Sequence, residues 1–203
     1  GGAVTAPRLR PAPLPATNRA MALFARRIAR SGGSGGPLSD QREPAFYTAR
    51  GALAVTLVFT LWRIAVLASD PVNLSFDEAQ YWTWSETPGF GYFSKPPLIA
   101  WAIWLTTALC GEAEMCVKLG APLAHLATAM GLFFLGRDLY GGRVGFWAAV
   151  TWITLPAVSF SAMVITVDPF LLAFWAWGLW ALNRALSTGR TAWWMAVGVA
   201  IGL

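Results

Sequence analysis

The chain has 203 residues, of which 56% are hydrophobic and only 12% are charged, and its formal net charge is +5. An ordinary soluble domain carries roughly twice that charged fraction, so the composition excludes a typical soluble protein and indicates an all-α, polytopic membrane protein. The arginines gather near one end of the chain and in short loops. The positive charge is therefore a topology signal and not a nucleic-acid surface.

Residues 1–45 are rich in Pro, Gly, Ser, Ala and Arg. Such a segment cannot bury a core, which predicts a disordered, basic cytoplasmic tail. The piece 21–30 inside it reads either as a short basic helix on the membrane surface or as part of that tail. The chain starts without Met and ends within an apolar run, so we interpret it as the N-terminal part of a larger protein, truncated at its C-terminus.

Residues 46–203 are predicted to form the N-terminal part of a transmembrane domain, because about 20 apolar residues cross a bilayer core. The predicted spans cover residues 46–69, 117–136, 144–163, 170–186 and a truncated 192–203. The first span carries Arg63, and a charge in lipid is costly, so Arg63 is expected to face other helices or to snorkel. Residues 70–116 form a predicted outer loop.

Within that loop, the apolar part of residues 96–110 is only about 14 residues long, too short to cross comfortably. A helix at the membrane interface is predicted there, because positive charges in short loops then lie inside. The inner residues are the tail arginines with Arg137, Arg143, Arg184 and Arg190. The outer residues are Asp70, Asp77, Glu78, Glu86, Glu112, Glu114 and Asp168.

Cysteine and histidine carry little functional signal in this sequence. Cys110 and Cys116 could oxidise outside a cell, but two unrelated thiols are the prediction, because the chain has no disulfide framework. His125 is the only histidine and falls within a predicted span, so a buried polar contact is favoured over a ligand role. No cluster has the spacing of a metal site, and no metal ligand is predicted.

The stretch from Ser75 to Leu98 is polar, aromatic and rich in turn residues, and it contains the adjacent acids Asp77 and Glu78. Neighbouring helical side chains point about 100° apart, so one acid can face a substrate while the other supports it. A carboxylate here can accept a proton from a nucleophile or bind a divalent cation. The alternative is a solvated acid pair at the start of a loop.

Lys95 stands directly before two prolines in the same stretch. The prolines stiffen the backbone, and a lysine at the membrane boundary is a good partner for a lipid phosphate; the alternative is a snorkelling anchor. Tyr81 and Tyr92 are either interfacial anchors or substrate-binding side chains that stack on a sugar ring.

Asp168 precedes Pro169 between two predicted spans. That position predicts a helix N-cap with proline in the first turn, which does not exclude catalysis. With the topology above, Asp77, Lys95 and Asp168 come from three segments to one cavity at the outer leaflet.

Five motifs then carry a resemblance that covers about residue 46 to the end of the chain. They are D-E-A-Q-Y-W at 77–82, Y-F-S-K-P-P-L at 92–98, V-K-L-G-A-P-L-A at 117–124, G-R-D-L-Y-G-G-R-V-G-F-W at 136–147 and V-D-P-F at 167–170. In this order they resemble the GT-C class of membrane glycosyltransferases, and within it the family of protein O-mannosyltransferases and the lipid A aminoarabinose transferase.

The resemblance implies an inverting enzyme at the outer face of the inner (plasma) membrane. It would pass a hexose or pentose from a polyprenyl-phosphate carrier to a protein or glycolipid acceptor. Asp77 would orient or deprotonate the acceptor, with Glu78 supporting it, Lys95 on the carrier phosphate and Asp168 as the second acid. Ser94 stands where an acid or His often precedes the K-P-P motif, so a divalent metal is left open. Lys118 replaces a common Arg.

Two other functions compete with this one. A transporter or flippase-like protein with an outward-facing acidic site is the first alternative, although transport sites usually lie near the midplane. A membrane anchor or assembly subunit is the second, and it predicts tolerance of Asp77→Ala. The sequence names neither the sugar nor the acceptor, and it does not fix the oligomeric state.

Overall fold

The computed structural model describes residues 45–69 and 73–202, so the predicted tail and Asp70 lie outside the described residues, apart from Ala45. Within these ranges the chain is helical and has no strand, as the predicted all-α fold class requires. A short 3-10 turn, Ala45–Tyr47, precedes nine α-helices in the described part. They are α1 Ala49–Ser69, α2 Phe76–Ser85, α3 Leu98–Cys110, α4 Glu114–Lys118, α5 Gly120–Tyr140, α6 Gly142–Thr154, α7 Pro156–Ser161, α8 Asp168–Thr188 and α9 Thr191–Gly202.

Two stretches among the described residues are long and apolar enough to cross a bilayer, Ala49–Ser69 and Glu114–Tyr140. Helix α5 packs against α6 and α8, α1 packs against α5 and α6, and α9 packs against α8. Small residues make the tightest contacts: a Cβ on Gly145 would lie 2.4 Å from the Phe133 carbonyl oxygen, and one on Gly131 would lie 2.9 Å from the Ala176 Cβ. Such close approach is how helices in lipid gain packing energy.

Two apolar clusters mark the two ends of this bundle. One joins Tyr81 of α2 to Val117 before α5 and to Ile165 before α8, with Ile99 and Ile103 of α3. The other joins the beginning of α1 to the later part of α5 and the beginning of α6. Helix α3 contributes to the first of these clusters through Ile99 and Ile103, which pack with Tyr81 and Val117.

The run expected to form one span at residues 144–163 is two helices. Leu155 takes an extended backbone (φ −59°, ψ 132°) between α6 and α7. Pro156 follows it, and the residue before a proline is pushed out of the helical region. The Arg63 side chain of α1 donates to the Ile153 carbonyl and, at 2.8 Å, to the Ser159 hydroxyl. Arg63 thus faces other helices, as predicted, and satisfies a carbonyl that the end of α6 leaves unpaired.

The prediction of two separate thiols is wrong. Cys110 at the end of α3 and Cys116 in α4 form a disulfide, with Cα atoms 5.9 Å apart. The sequence spacing hides this because the pairing depends on a sharp reversal. Gly111 makes the turn at φ 93°, a conformation that glycine adopts without a steric penalty.

Candidate active site

Helix α2 carries the acid pair, and the Glu78 side chain caps the N-terminus of this helix. The Glu78 carboxylate accepts a hydrogen bond from the Ser75 N–H at 2.8 Å. The first N–H groups of a helix lack intrahelical partners, and a Glu three residues after a Ser is the spacing that supplies one. Glu78 is 2% exposed, so both of its oxygens are shielded from water.

The other Glu78 oxygen makes a long-range contact. Oε1 accepts a hydrogen bond of 2.9 Å from the Ile165 N–H, 87 residues later in the chain. Ile165 lies in the segment that leads into α8, three residues before Asp168. The carboxylate therefore ties the acid-bearing helix to the segment that presents the second acid.

Asp77 and Asp168 both have exposed side chains. Tyr81, one turn after Asp77, is 4% exposed and forms part of the cluster beneath them. Burial raises the pKa of the Tyr81 hydroxyl above its usual range, and the negative charges of Asp77 and Asp168 raise it further. Both carboxylates therefore lie close enough to act on one phenol, and Tyr81 stays a neutral hydrogen-bond donor near neutral pH.

The expectation that Asp168 caps its helix is wrong. Helix α8 begins at Asp168 itself, Val167 is the N-cap residue, and no side chain makes a capping hydrogen bond. Proline is tolerated as the second residue because the first-turn N–H groups lack partners anyway. The Asp168 carboxylate makes no capping hydrogen bond and is consequently available to a ligand.

A tight loop holds Lys95. The Tyr92 N–H donates to the Lys95 carbonyl at 3.3 Å. The Tyr92 hydroxyl accepts from the Gly89 N–H at 2.9 Å and donates to the Trp84 carbonyl at 2.9 Å, while its ring stacks on Trp84 with centroids 4.9 Å apart. Within the described ranges, the half-buried Lys95 amine has no hydrogen-bond or ion-pair partner, so it is free for an anion.

An apolar cavity of about 530 Å³ opens beside these groups. One end of the cavity is lined by Pro96 and Val167, which are the sequence neighbours of Lys95 and Asp168. From there it follows one face of α8 to Leu182 and is closed on one side by α9 through Val197, Ala200 and Ile201. The cavity can hold a long apolar chain whose polar end lies between the lysine and the carboxylate.

The structure brings together Asp77, Tyr81 and Asp168, and Lys95 is the residue before Pro96, which lines the adjoining cavity. It gives Glu78 and Tyr92 internal partners. The Ser75–Glu78 spacing is a recognisable capping signal, so the sequence could have indicated the Ser75 hydrogen bond. The hydrogen bond from Ile165 to Glu78 is not predicted by the sequence. Among the described residues, no three His, Cys, Asp or Glu side chains group as metal ligands, so no ligand set is assigned.

Comparison with known proteins decides the family. The family described as dolichyl-phosphate-mannose-protein mannosyltransferase matches residues 94–203, which include Lys95, Asp168 and the cavity. The chain belongs to this mannosyltransferase family. The resemblance to GT-C membrane glycosyltransferases is confirmed.

Two relatives extend this mannosyltransferase-family match. The lipid A galacturonosyltransferase RgtD of Rhizobium johnstonii is 39% identical over 158 residues, covering 76% of this chain and 33% of that protein. The undecaprenyl phosphate-alpha-4-amino-4-deoxy-L-arabinose arabinosyl transferase 2 of Proteus mirabilis is 25% identical over 118 residues, 55% of this chain and 21% of that protein. The chain thus spans a third or less of each relative's length. No solved structure matches it.

Proposed function

We propose that the protein containing this chain transfers a sugar from a polyprenyl-phosphate carrier to a hydroxyl or amine acceptor, with inversion at the anomeric carbon. The observation that carries the proposal is that Asp77 and Asp168 both lie near Tyr81. Val167, next to Asp168, lines an apolar cavity together with Pro96, next to Lys95. A carboxylate base, a phosphate-binding cation and a groove for a lipid are the three parts that this reaction needs.

Asp77 is the proposed base. Its exposed carboxylate takes the proton from the acceptor nucleophile as the nucleophile attacks the anomeric carbon. The bond from that carbon to the phosphate oxygen breaks, and its electron pair stays on the phosphate. The Lys95 ammonium stabilises the charge that develops on this leaving group, which is the step where a fixed cation lowers the barrier most.

Asp168 and Tyr81 are proposed to hold the sugar between donor and acceptor. The Tyr81 hydroxyl remains protonated and can donate to a sugar oxygen, while Asp168 can accept from a sugar hydroxyl. Glu78 and Tyr92 act behind them: Glu78 fixes the segment before Asp168, and Tyr92 fixes the loop before Lys95.

The polyprenyl chain is proposed to lie in the cavity along α8. The side chains that line the cavity from Val167 to Leu182 are apolar. Burying an apolar chain there contributes roughly 25 cal/mol for each Å² removed from water, which favours a carrier that is already in the leaflet.

The site is proposed to face the outer side of a multi-pass inner-membrane protein. The disulfide between Cys110 and Cys116 belongs to the same end of the bundle as Tyr81 and Ile165. Disulfides persist in oxidising compartments and are rare in the cytosol, so this bond supports the outward assignment. The arginines Arg137, Arg143, Arg184 and Arg190 lie at or beyond the opposite helix ends, where the positive-inside rule places them.

The first donor and acceptor to test come from the relatives. The name of the 39% identical relative suggests galacturonate as the sugar, on the proposed polyprenyl-phosphate carrier, and lipid A as the acceptor. The name of the 25% identical relative suggests a polyprenyl-phosphate aminoarabinose donor. A polyprenyl-phosphate mannose donor with a protein acceptor represents the family description.

The experiment uses the full-length protein in proteoliposomes with these three donors. Asp77→Asn is expected to abolish transfer with any accepted donor, because an amide cannot take the proton, while expression and thermal unfolding stay near wild type. Glu86→Gln is the matched control, an exposed acid at the other end of α2, and should retain activity. Retained transfer by Asp77→Asn removes Asp77 from the base role, and no transfer from any polyprenyl donor by the wild type overturns the proposal.

A further inference from the structure

A second polar cluster lies inside the bundle. Arg63 of α1 and His125 of α5 are each 1% exposed. Trp152 of α6 contacts the His125 ring with centroids 5.9 Å apart, and its neighbour Ile153 accepts a hydrogen bond from Arg63. Three helices thus bring a guanidinium, an imidazole and an indole together within the apolar bundle.

Most of the donors in this cluster have no partner. The Arg63 Nε and Nη1 atoms, both ring nitrogens of His125 and the Trp152 Nε1 atom are buried and make no hydrogen bond among the described residues. Only Arg63 Nη2 is paired, with the Ile153 carbonyl and the Ser159 hydroxyl. A buried donor without a partner loses its hydrogen bond to water and gains none in return, so several unpaired donors in one place indicate a missing acceptor.

The charge of the cluster points to the kind of acceptor. Within residues 45–69 and 73–202 no carboxylate pairs with Arg63, and both ion pairs of that part of the chain involve Asp138. A buried cation without a counter-charge is strongly unfavourable in a membrane interior. Among the described residues of this cluster, the unpaired N–H groups of Arg63, Trp152 and His125 outnumber the one free acceptor, the second ring nitrogen of His125. An anion, which only accepts, therefore fits these donors better than a water molecule, which must also donate.

We propose that Arg63, His125 and Trp152 form a binding site for a small inorganic anion of the size of chloride. The anion accepts hydrogen bonds from Arg63 Nε and Nη1, from the Trp152 indole and from one His125 nitrogen. It neutralises the guanidinium and thereby holds α1 and α5 against the α6–α7 corner. The site is structural, and no step of sugar transfer passes through it.

The test is thermal unfolding of the full-length protein, purified without halide and titrated with chloride against gluconate at constant ionic strength. Gluconate is too large for a buried site. A saturable rise of the melting temperature with chloride, but not with gluconate, is expected, since a ligand that binds only the folded state stabilises it by mass action. Equal melting temperatures in the two salts overturn the proposal.

Variants locate the effect. Arg63→Met should lose the chloride response, and Trp152→Phe, which keeps an aromatic ring but loses one N–H donor, should weaken the chloride midpoint about tenfold. Arg143→Gln removes an exposed arginine elsewhere and should leave the response unchanged. If Arg63→Met does not fold, Trp152→Phe still decides: a midpoint equal to wild type overturns the site. Asp77→Asn should respond as wild type, which separates this proposal from the proposed transferase activity.

Discussion

Glu78 and Ile165 are joined by a hydrogen bond of 2.9 Å between a buried carboxylate oxygen and a backbone N–H, across 87 residues of sequence. The same carboxylate holds the beginning of the helix that carries Asp77. Glu78 therefore connects the helix that carries Asp77 to the segment before Asp168. In the proposed reaction it acts as a positioning residue.

Glu78→Gln should lower the turnover number while leaving the shape of the pH–rate profile unchanged. The glutamine side chain keeps one acceptor oxygen, but its NH2 group would face either the Ser75 or the Ile165 N–H, both of which are donors. One hydrogen bond is therefore lost, and the distance between α2 and the segment before α8 changes. Glu78→Ala should be worse, with a loss of about 1–3 kcal/mol in unfolding free energy, because the buried Ile165 N–H becomes unpaired. Transfer assays over pH, with thermal unfolding alongside, check both; disappearance of one limb of the profile in Glu78→Gln would mean that Glu78 itself transfers a proton.

Lys95→Ala should raise the KM for the lipid donor about tenfold or more, since a charge-assisted contact to phosphate is worth about 1.5–3 kcal/mol. Lys95→Arg keeps the charge and should retain part of the affinity. Donor titration in proteoliposomes measures this. An unchanged KM for the carrier in Lys95→Ala would rule out the phosphate contact.

The raised pKa of Tyr81 predicts that the folded protein loses stability at alkaline pH. Its pKa in the folded protein lies above the ordinary value of 10.0, through burial first and then through Asp77 and Asp168. The unfolded chain therefore releases this proton at lower pH than the folded protein, so stability falls as pH rises beyond 10. Tyr81→Phe should remove that part of the decline. Melting temperatures from pH 7 to 11 for both proteins should diverge only at the alkaline end, and parallel curves would contradict the assignment.

Gly145→Ala should destabilise the bundle. An added Cβ would lie 2.4 Å from the Phe133 carbonyl oxygen and 2.8 Å from the Arg137 nitrogen, so α5 and α6 would have to separate. Gly198→Ala in α9 is the matched control, because its Cβ would meet nothing within 4 Å. A helical Gly-to-Ala change without a clash is neutral or favourable by roughly 0.5–1 kcal/mol. In thermal unfolding, the melting temperature should fall for Gly145→Ala and should stay the same or rise for Gly198→Ala.

The Cys110–Cys116 bond gives a direct test of membrane sidedness. After mild reduction of intact cells, a membrane-impermeant thiol reagent should label both cysteines. Labelling only after permeabilisation would place this end of the bundle inside. The double change to serine should cost about 2 kcal/mol of stability, the loop-closure value for so short a ring.

Much of this architecture follows from local sequence. Hydropathy predicts an apolar helix at residues 46–69, and the structure has helix α1 at Ala49–Ser69. The motif order predicts one site for Asp77, Lys95 and Asp168, and in the structure Asp77 and Asp168 both lie near Tyr81. These features depend on composition and short-range pattern, which a single sequence records well.

The remaining features depend on contacts between distant segments. The Glu78–Ile165 bond ends on a backbone group that any residue could supply, and the Cys110–Cys116 bond depends on the turn at Gly111. The α6–α7 break could have been predicted, because Pro156 restricts Leu155, but the apolar run continues through it and hides the boundary.

Helix α8 has a consequence for the carrier. Its first residue is the free carboxylate Asp168, and its face lines the cavity as far as Leu182. At 1.5 Å per residue these positions lie about 21 Å apart along one unbroken rod. If the carrier phosphate is fixed at the Asp168 end, the length of α8 sets how much of the isoprenoid tail the cavity can bury. Carriers shorter than that span would leave part of the cavity unfilled.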